Sequence, residues 1–146
     1  MTVVLDTGPL GLLTQRRGVP QADECRAWLD GLLARGVDVA IPEIADYELR
    51  RELIRLGQTS GLERLDRLKA LLEYLPINTE AMLQAAEYWA EARQHGRPTA
   101  DKHALDGDAI LAAQAKMLRA PETIIATTNV GHLSRFVPAK EWRQVL

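Results

Sequence analysis

The sequence holds a single cysteine, Cys25, in 146 residues, so no disulfide can close within the chain. A lone thiol suits a reducing compartment, and the cytoplasm is the expected location. Cys25, in an apolar helical stretch, reads as a small buried hydrophobe. Long hydrophobic runs are missing too. No segment reaches the ~18 apolar residues of a membrane span. The apolar start is interrupted by Asp6, too early for the core of a signal peptide. No membrane association is expected. Charge of one sign is equally scarce: 18 Lys and Arg face 20 Asp and Glu, a net charge of −2. That balance excludes a global positive field and leaves only local basic patches for nucleic acid. The three histidines, His95, His103 and His132, lack zinc-type spacing. There is no internal repeat, low-complexity tract or linker. With 47% hydrophobic residues the chain can bury a core, and a single domain over 1–146 is the expectation.

What is present is an alternation of short β-branched runs with longer helical patterns. Strands are expected over 3–6, 37–41, 75–77 and 123–128, and helices over 10–15, 21–35, 42–56, 62–73, 79–93 and 108–118. Pro42 suits a helix start, and Thr79 supplies half of a capping box. Strands separated by helices of ten or more residues imply βαβ units and a mostly parallel sheet, arranged as a three-layer α/β/α sandwich. Gln94 to Leu105 reads as the loop that introduces the last long helix.

Chemistry enters with Asp6, at the tip of Val3-Val4-Leu5 and before Thr7-Gly8-Pro9. An acid at the C-terminal end of a buried strand sits where open α/β sheets place ligands. Acids that could join it lie on two helices. In the 42–56 helix, Ile41, Ala45, Leu49, Leu53 and Leu56 form an apolar stripe, and Glu48 and Glu52 lie on or beside it, one turn apart. Glutamate rarely enters such a face unless paired or cation-bound, and periodicity does not choose between the two. In Leu105-Asp106-Gly107-Asp108-Ala109, two acids flank a glycine where a helix is expected to begin. One of them is explained as a helix cap; two are harder to dismiss. The strand ending in Thr127-Thr128-Asn129 would bring neutral oxygens to the same sheet edge, although Asn129 also suits a turn before Gly131. Hard oxygen donors without His or Cys clusters call for Mg²⁺ or Mn²⁺. Carboxylate-held divalent ions bind phosphates and activate water, which is phosphodiester hydrolysis chemistry.

These residues, in this order and spacing, resemble a PIN-domain nuclease, similar in size and layout to the VapC-type toxins of toxin–antitoxin pairs. The matching elements are Val3-Val4-Leu5-Asp6-Thr7, Glu48 within Ile44-Ala45-Asp46-Tyr47-Glu48-Leu49, Asp108 within Asp108-Ala109-Ile110-Leu111-Ala112-Ala113, and Thr127-Thr128-Asn129. The resemblance covers essentially the whole chain. It implies a metal-dependent endoribonuclease in which Asp6, Glu48 and Asp108 are the catalytic, metal-binding acids and Asp106 an additional one. It favours Glu48 over Glu52 and gives Thr7, Thr128 and Asn129 supporting places. It implies one or two Mg²⁺ or Mn²⁺ ions; Asn129, where many relatives carry Asp, favours one firmly held ion. Implied partners are an RNA substrate, an antitoxin whose segment blocks the acidic groove, and a second copy of the chain, with 10–15 and the helices after Asp46 as the homodimer face. Candidate RNA contacts are Arg16, Arg17, Arg50, Arg51, Arg97 and Lys102. Trp28, Trp89 and Trp142 read as core or interface packing rather than base-stacking platforms.

Two other phosphate-handling classes fit poorly. A haloacid-dehalogenase-like phosphatase needs an acid two residues after Asp6, where Gly8 stands. A receiver domain needs paired acids at the first strand tip and a late lysine, and has neither here. The remaining alternatives are an inactive PIN-fold binding or scaffold module, and a PIN nuclease acting on DNA or structured nucleic acid.

Overall fold

The computed structural model describes residues 1–95, 102–131 and 133–146, with the backbone only of 102–104. Five strands, β1 Thr2–Leu5, β2 Asp38–Pro42, β3 Glu73–Leu75, β4 Thr123–Thr127 and β5 Ala139–Glu141, form one sheet in the order β3-β2-β1-β4-β5. Every adjacent pair is parallel. The helices are α1 Thr7–Leu13, α2 Pro20–Ala34, α3 Glu43–Arg55, α4 Thr59–Leu71, α5 Thr79–His95 and α6 Lys102–Met117. This is a PIN-like three-layer α/β/α fold. Among the described residues, no helix is long and apolar enough to cross a membrane.

Strand alternation sorts the layers. Val3 and Leu5 face one core, with Leu10, Cys25, Leu29, Leu32 and Leu65 from α1, α2 and α4. Val4 faces the other, with Leu111, Ala112, Ala115 and Ile125. Helix α5 packs outside α6 through Ala81, Ala85, Ala109 and Ala113, small residues that let the two helices approach. Helix α3 belongs to both halves: Ile44 joins the α6 side and Ala45 the α1 side. Chain order leaves β1 by one flank for β2 and β3, and returns on the other for β4 and β5. The crevice beyond β1 and β4 is therefore the topological switch point.

Several boundaries differ from expectation. Helix α6 begins at Lys102 rather than Asp108, because Leu105, Ala109 and Ala112 continue the buried stripe back by a turn. Asp106 and Asp108 thus lie inside the helix, and neither is its cap. Asn78, not Thr79, caps α5, its Oδ1 accepting from Ala81 N at 2.8 Å. The third strand pairs through Glu73–Leu75, ahead of the expected 75–77. Strand β5 is an addition, too short and too polar to announce itself by alternation. Leu56 is 55% exposed, outside the expected stripe. Leu10, Leu12 and Leu13 of α1 are buried within the protein's own core, so they offer no face to a second copy.

The aromatic residues pack as expected. Trp142 is fully buried, meets Trp28 edge to face with centroids 5.5 Å apart, and Trp28 Nε1 donates to Val145 O at 2.8 Å. Trp89 lies half-buried against α6.

Candidate active site at the switch point

Asp6 stands one residue beyond β1 and caps α1. Its Oδ1 accepts from Thr7 N at 2.7 Å, and its backbone N–H donates to Ala126 O at 3.0 Å, continuing the β1–β4 ladder. That ladder places Thr127 beside it. Thr127, fully buried, donates from Oγ1 to Asp6 Oδ2 at 2.7 Å and accepts from Asn129 N at 3.1 Å. Both carboxylate oxygens of Asp6 are thereby oriented by a strand tip and a helix start.

Glu48 reaches the same point from α3. Its Oε1 accepts from Thr7 Oγ1 at 3.0 Å, so Thr7, whose amide holds Asp6, also tethers an acid 41 residues further along the chain. Glu48 Oε2 lies against Gly107 of α6, where an added Cβ would stand only 2.7 Å away. Glycine there lets the Glu48 carboxylate keep this position against α6. Asp108, the next residue, completes the group. Burial first, then the charges of Asp6 and Glu48, push its carboxyl up to about 6 from 3.8. Burial also raises Glu48, opposed by the Thr7 hydroxyl, helped by the charge of Asp6, and opposed by Arg51.

The structure does not bring Asp106 into this group. Two residues along a helix is a turn of about 200°; Asp106 instead lines a cavity of about 400 Å³ between α5 and α6 with Met82, Ala85, Ala86, Trp89, Ala109 and Ile110. Glu52 also faces away, exposed and paired with Arg55, whose Nε lies 3.1 Å from both carboxylate oxygens. Thr128 packs beside Gly8, where any Cβ would collide with its side chain. Asn129 is exposed and folds toward Gly131, which takes a positive φ of 44°. That is the turn reading of this residue.

The basic candidates divide. Arg50 is committed elsewhere: Nε donates to Asp46 Oδ1 at 3.0 Å and an amino group to Asp66 Oδ1 at 2.8 Å. Buried Asp46 also accepts from Lys69 at 2.9 Å and Tyr74 at 3.0 Å, a network that anchors α3 to α4 and β3. Arg51 lies over the Tyr47 ring, 5.0 Å from its centroid, and its charge reaches Glu48. Arg16 lines a groove of about 490 Å³ that runs from Gly8 and Gly11 past Leu49 and Glu52 to Arg64. Arg17 is exposed in the same loop, whose backbone Arg26 holds through Gln15 O and Arg16 O. Arg97, His132 and the side chains of Lys102 and His103 lie outside the described residues.

Asp6, Glu48 and Asp108 are hard oxygen donors, half-buried, and the charge of Asp6 reaches the carboxyls of both Glu48 and Asp108. In donor type and field they fit a divalent cation. Among the described residues, no three His, Cys, Asp or Glu side chains gather tightly enough to enclose an ion, so the carboxylates stand around the crevice rather than closed on a point.

Sequence reasoning passed over Thr127 in favour of its neighbours Thr128 and Asn129. The signal was the parallel register, which sets Leu5 opposite Ala126 and hence Asp6 beside Thr127. Replacing Thr127 by Val keeps the shape and removes the donor. We expect Thr127→Val to cost about 1 kcal/mol in urea unfolding. It should weaken Mn²⁺ binding in calorimetry about 10- to 100-fold, the scale of a lost ligand-orienting bond.

The PIN domain family model matches residues 3–132, and the chain belongs to the PIN domain family. No curated protein matches it in sequence. Among solved structures it resembles VapBC2 from Rickettsia felis bound to a DNA fragment from their promoter, with a TM-score of 0.72 and 19% identity over 97% of this chain and 99% of that one. It also resembles VapBC-1 from nontypeable Haemophilus influenzae, with a TM-score of 0.70 and 17% identity over 99% of this chain and 100% of that one. At such identities the likeness is one of fold.

Proposed function

We propose that this chain, as one nuclease domain over 1–146, is a metal-dependent endoribonuclease and the toxin of a toxin–antitoxin pair. The observation that carries the reading is that Asp6 just after β1, Glu48 on α3 and Asp108 on α6 stand around one crevice of a PIN fold, Glu48 tied to Thr7 and Asp108 within the field of the other two. Asp6, Glu48 and Asp108 would hold Mg²⁺ or Mn²⁺. A bound ion of this kind supplies Lewis acidity toward a phosphate and a water of lowered pKa. One ion is favoured over two, since Asn129 brings no charge and Asp106 lies on another face.

The protein's own groups do the positioning. Thr127 and the Thr7 amide fix the Asp6 oxygens, while the Thr7 hydroxyl fixes Glu48. Arg51 beside Glu48, Arg16 along the groove and Arg17 in the same loop as Arg16 would take RNA phosphates. The partner implied by the VapBC structures is an antitoxin, and the exposed Tyr47 and Ile54 of α3, with Leu56 just past its end, offer an apolar surface for a homodimer. A buried free thiol, Cys25, suits the cytoplasm.

The test is RNA cleavage in Mg²⁺ and in Mn²⁺ by wild type, Asp6→Asn and Asp108→Asn. Wild type should cleave, and each variant should lose activity by about 100-fold or more, the scale of removing one electrostatic stabiliser from a reacting centre. Equal cleavage by all three, or by none in either metal, overturns the reading. The spread of the three carboxylates favours one alternative, a PIN-fold binding module without catalysis; RNA bound but never cut identifies it. Cleavage confined to DNA or structured nucleic acid would reassign the substrate.

A further inference from the structure

Helix α3 starts without a side-chain cap. Its N-cap position is Pro42, which offers no acceptor, yet the first amides of a helix need partners. The one at Ile44 finds its partner on another helix. Gln114 of α6, 3% exposed, accepts the Ile44 N–H at its Oε1 at 3.1 Å. It thereby takes the place of a capping side chain at the second residue of α3. The other half of the same amide, Nε2, donates to Leu75 O at 2.7 Å, at the last residue of β3. Leu75 pairs in register with Pro42. One buried side chain therefore ties α6 to the junction of β2, β3 and α3.

The α3–α6 interface has two ends. At one, Gln114 holds Ile44; at the other, Gly107 passes Glu48. Ile44 and Glu48 are one helical turn apart on a single face of α3. Between these ends α6 presents Leu111 and Ala112 to the core, and Ala115 follows just beyond Gln114. These apolar contacts hold α6 against the core, but dispersion attraction has no preferred direction. A hydrogen-bonded amide is directional.

We propose that Gln114 is a positioning residue that sets the separation of Glu48 on α3 from Asp108 on α6. The inference rests on the metal-binding reading of those acids. Gln114 touches neither acid; it acts by fixing the register of the two helices that carry them. Removing its amide leaves the Ile44 N–H and Leu75 C=O without this partner and loosens the seating of α6 against α3, spreading the carboxylates.

The experiment compares wild type with Gln114→Met, which keeps the length and loses both polar groups. Leu32→Val, in the core on the opposite side of the sheet, is the control for general destabilisation. Mn²⁺ affinity is measured by calorimetry, and the metal-free proteins are followed by amide exchange at Ile44 and by the carboxyl carbon signals of Glu48 and Asp108. Gln114→Met should bind Mn²⁺ about 10- to 100-fold more weakly, exchange faster at Ile44 and shift both carboxyl signals. Leu32→Val should match wild type in all three. Wild-type affinity in Gln114→Met, or equal weakening in Leu32→Val, overturns the proposal. Should wild type itself bind no Mn²⁺, the metal reading falls, and the metal-free spectra judge this inference alone: unmoved Glu48 and Asp108 signals overturn it. Gln114→Asn, which retains the amide one methylene back, serves the same comparison if the Met variant does not fold.

Discussion

Saturating Mn²⁺ should raise the melting temperature of the metal-free protein by about 5–10 °C at pH 7.5 and hardly at all at pH 5. The reason lies in the carboxylates at the switch point. Asp108 has its carboxyl pushed up to about 6 from 3.8 by burial and by Asp6 and Glu48. Glu48 is raised as well, burial again leading. A raised carboxyl means that the folded state holds the proton more tightly than the unfolded one. The stabilisation this gives is full below the unfolded value near 3.8 and is lost as pH rises through about 6. At pH 7.5 the metal-free protein therefore carries mutually repelling, half-buried charges. A divalent cation relieves that repulsion, and at pH 5 it must compete with a proton already on Asp108. At a hundredfold excess over its dissociation constant the ion adds about 2.7 kcal/mol, and in a chain of this size each kcal/mol moves the melting temperature by about 2–4 °C. Asp108→Asn should flatten both the pH dependence between 4 and 7 and the Mn²⁺ response. Melting curves at pH 7.5 that coincide with and without Mn²⁺ would remove the basis for a metal site here.

How much of this was legible in the sequence depended on how local the cause was. Asp6 could be placed because a β-branched run ending in an acid is a signal contained in six residues. The layer arrangement followed from the alternation of strand and helix lengths. Glu48 and Glu52 could not be separated, since both border the same stripe. Their difference arises from partners that periodicity does not see: Thr7 and Gly107 for Glu48, Arg55 and solvent for Glu52. Asp106 looked like a companion of Asp108 because Asp-Gly-Asp resembles the start of a helix. Once α6 begins at Lys102, a spacing of two sends the acids to different faces. Thr127 and Gln114 were invisible for a further reason. Their hydrogen bonds join residues 121 and 39 to 70 positions apart, and they follow from sheet register and helix crossing, which no window of sequence contains. The family resemblance supplied Glu48 where physical patterning stopped, and it had nothing to offer at Gln114.

Gly107→Ala should leave the fold as stable as wild type or up to about 1 kcal/mol more stable, while weakening Mn²⁺ binding and RNA cleavage about 10- to 100-fold. Glycine inside a helix costs roughly 1 kcal/mol relative to alanine through backbone entropy, and Gly107 sits within α6 with no positive φ to excuse it. What stands in the way of a methyl group is Glu48, whose Oε2 would lie 2.7 Å and whose Cδ would lie 3.4 Å from the new Cβ. Those atoms end a flexible side chain, so the strain is relieved by rotating Glu48 rather than by parting α3 from α6. The rotation gives up the hydrogen bond from Thr7 Oγ1 and carries the carboxylate away from Asp6 and Asp108. The loss expected is that of a misplaced ligand set rather than of an unfolded protein. Urea unfolding measures the first half of the prediction; Mn²⁺ calorimetry and RNA cleavage measure the second. A Gly107→Ala protein that binds Mn²⁺ as tightly as wild type would mean that Glu48 is not held where the ion needs it. A protein less stable by several kcal/mol would mean that the helices, not the side chain, give way. The position opposes helix propensity to site geometry, and a glycine stands where the acid lies against the helix.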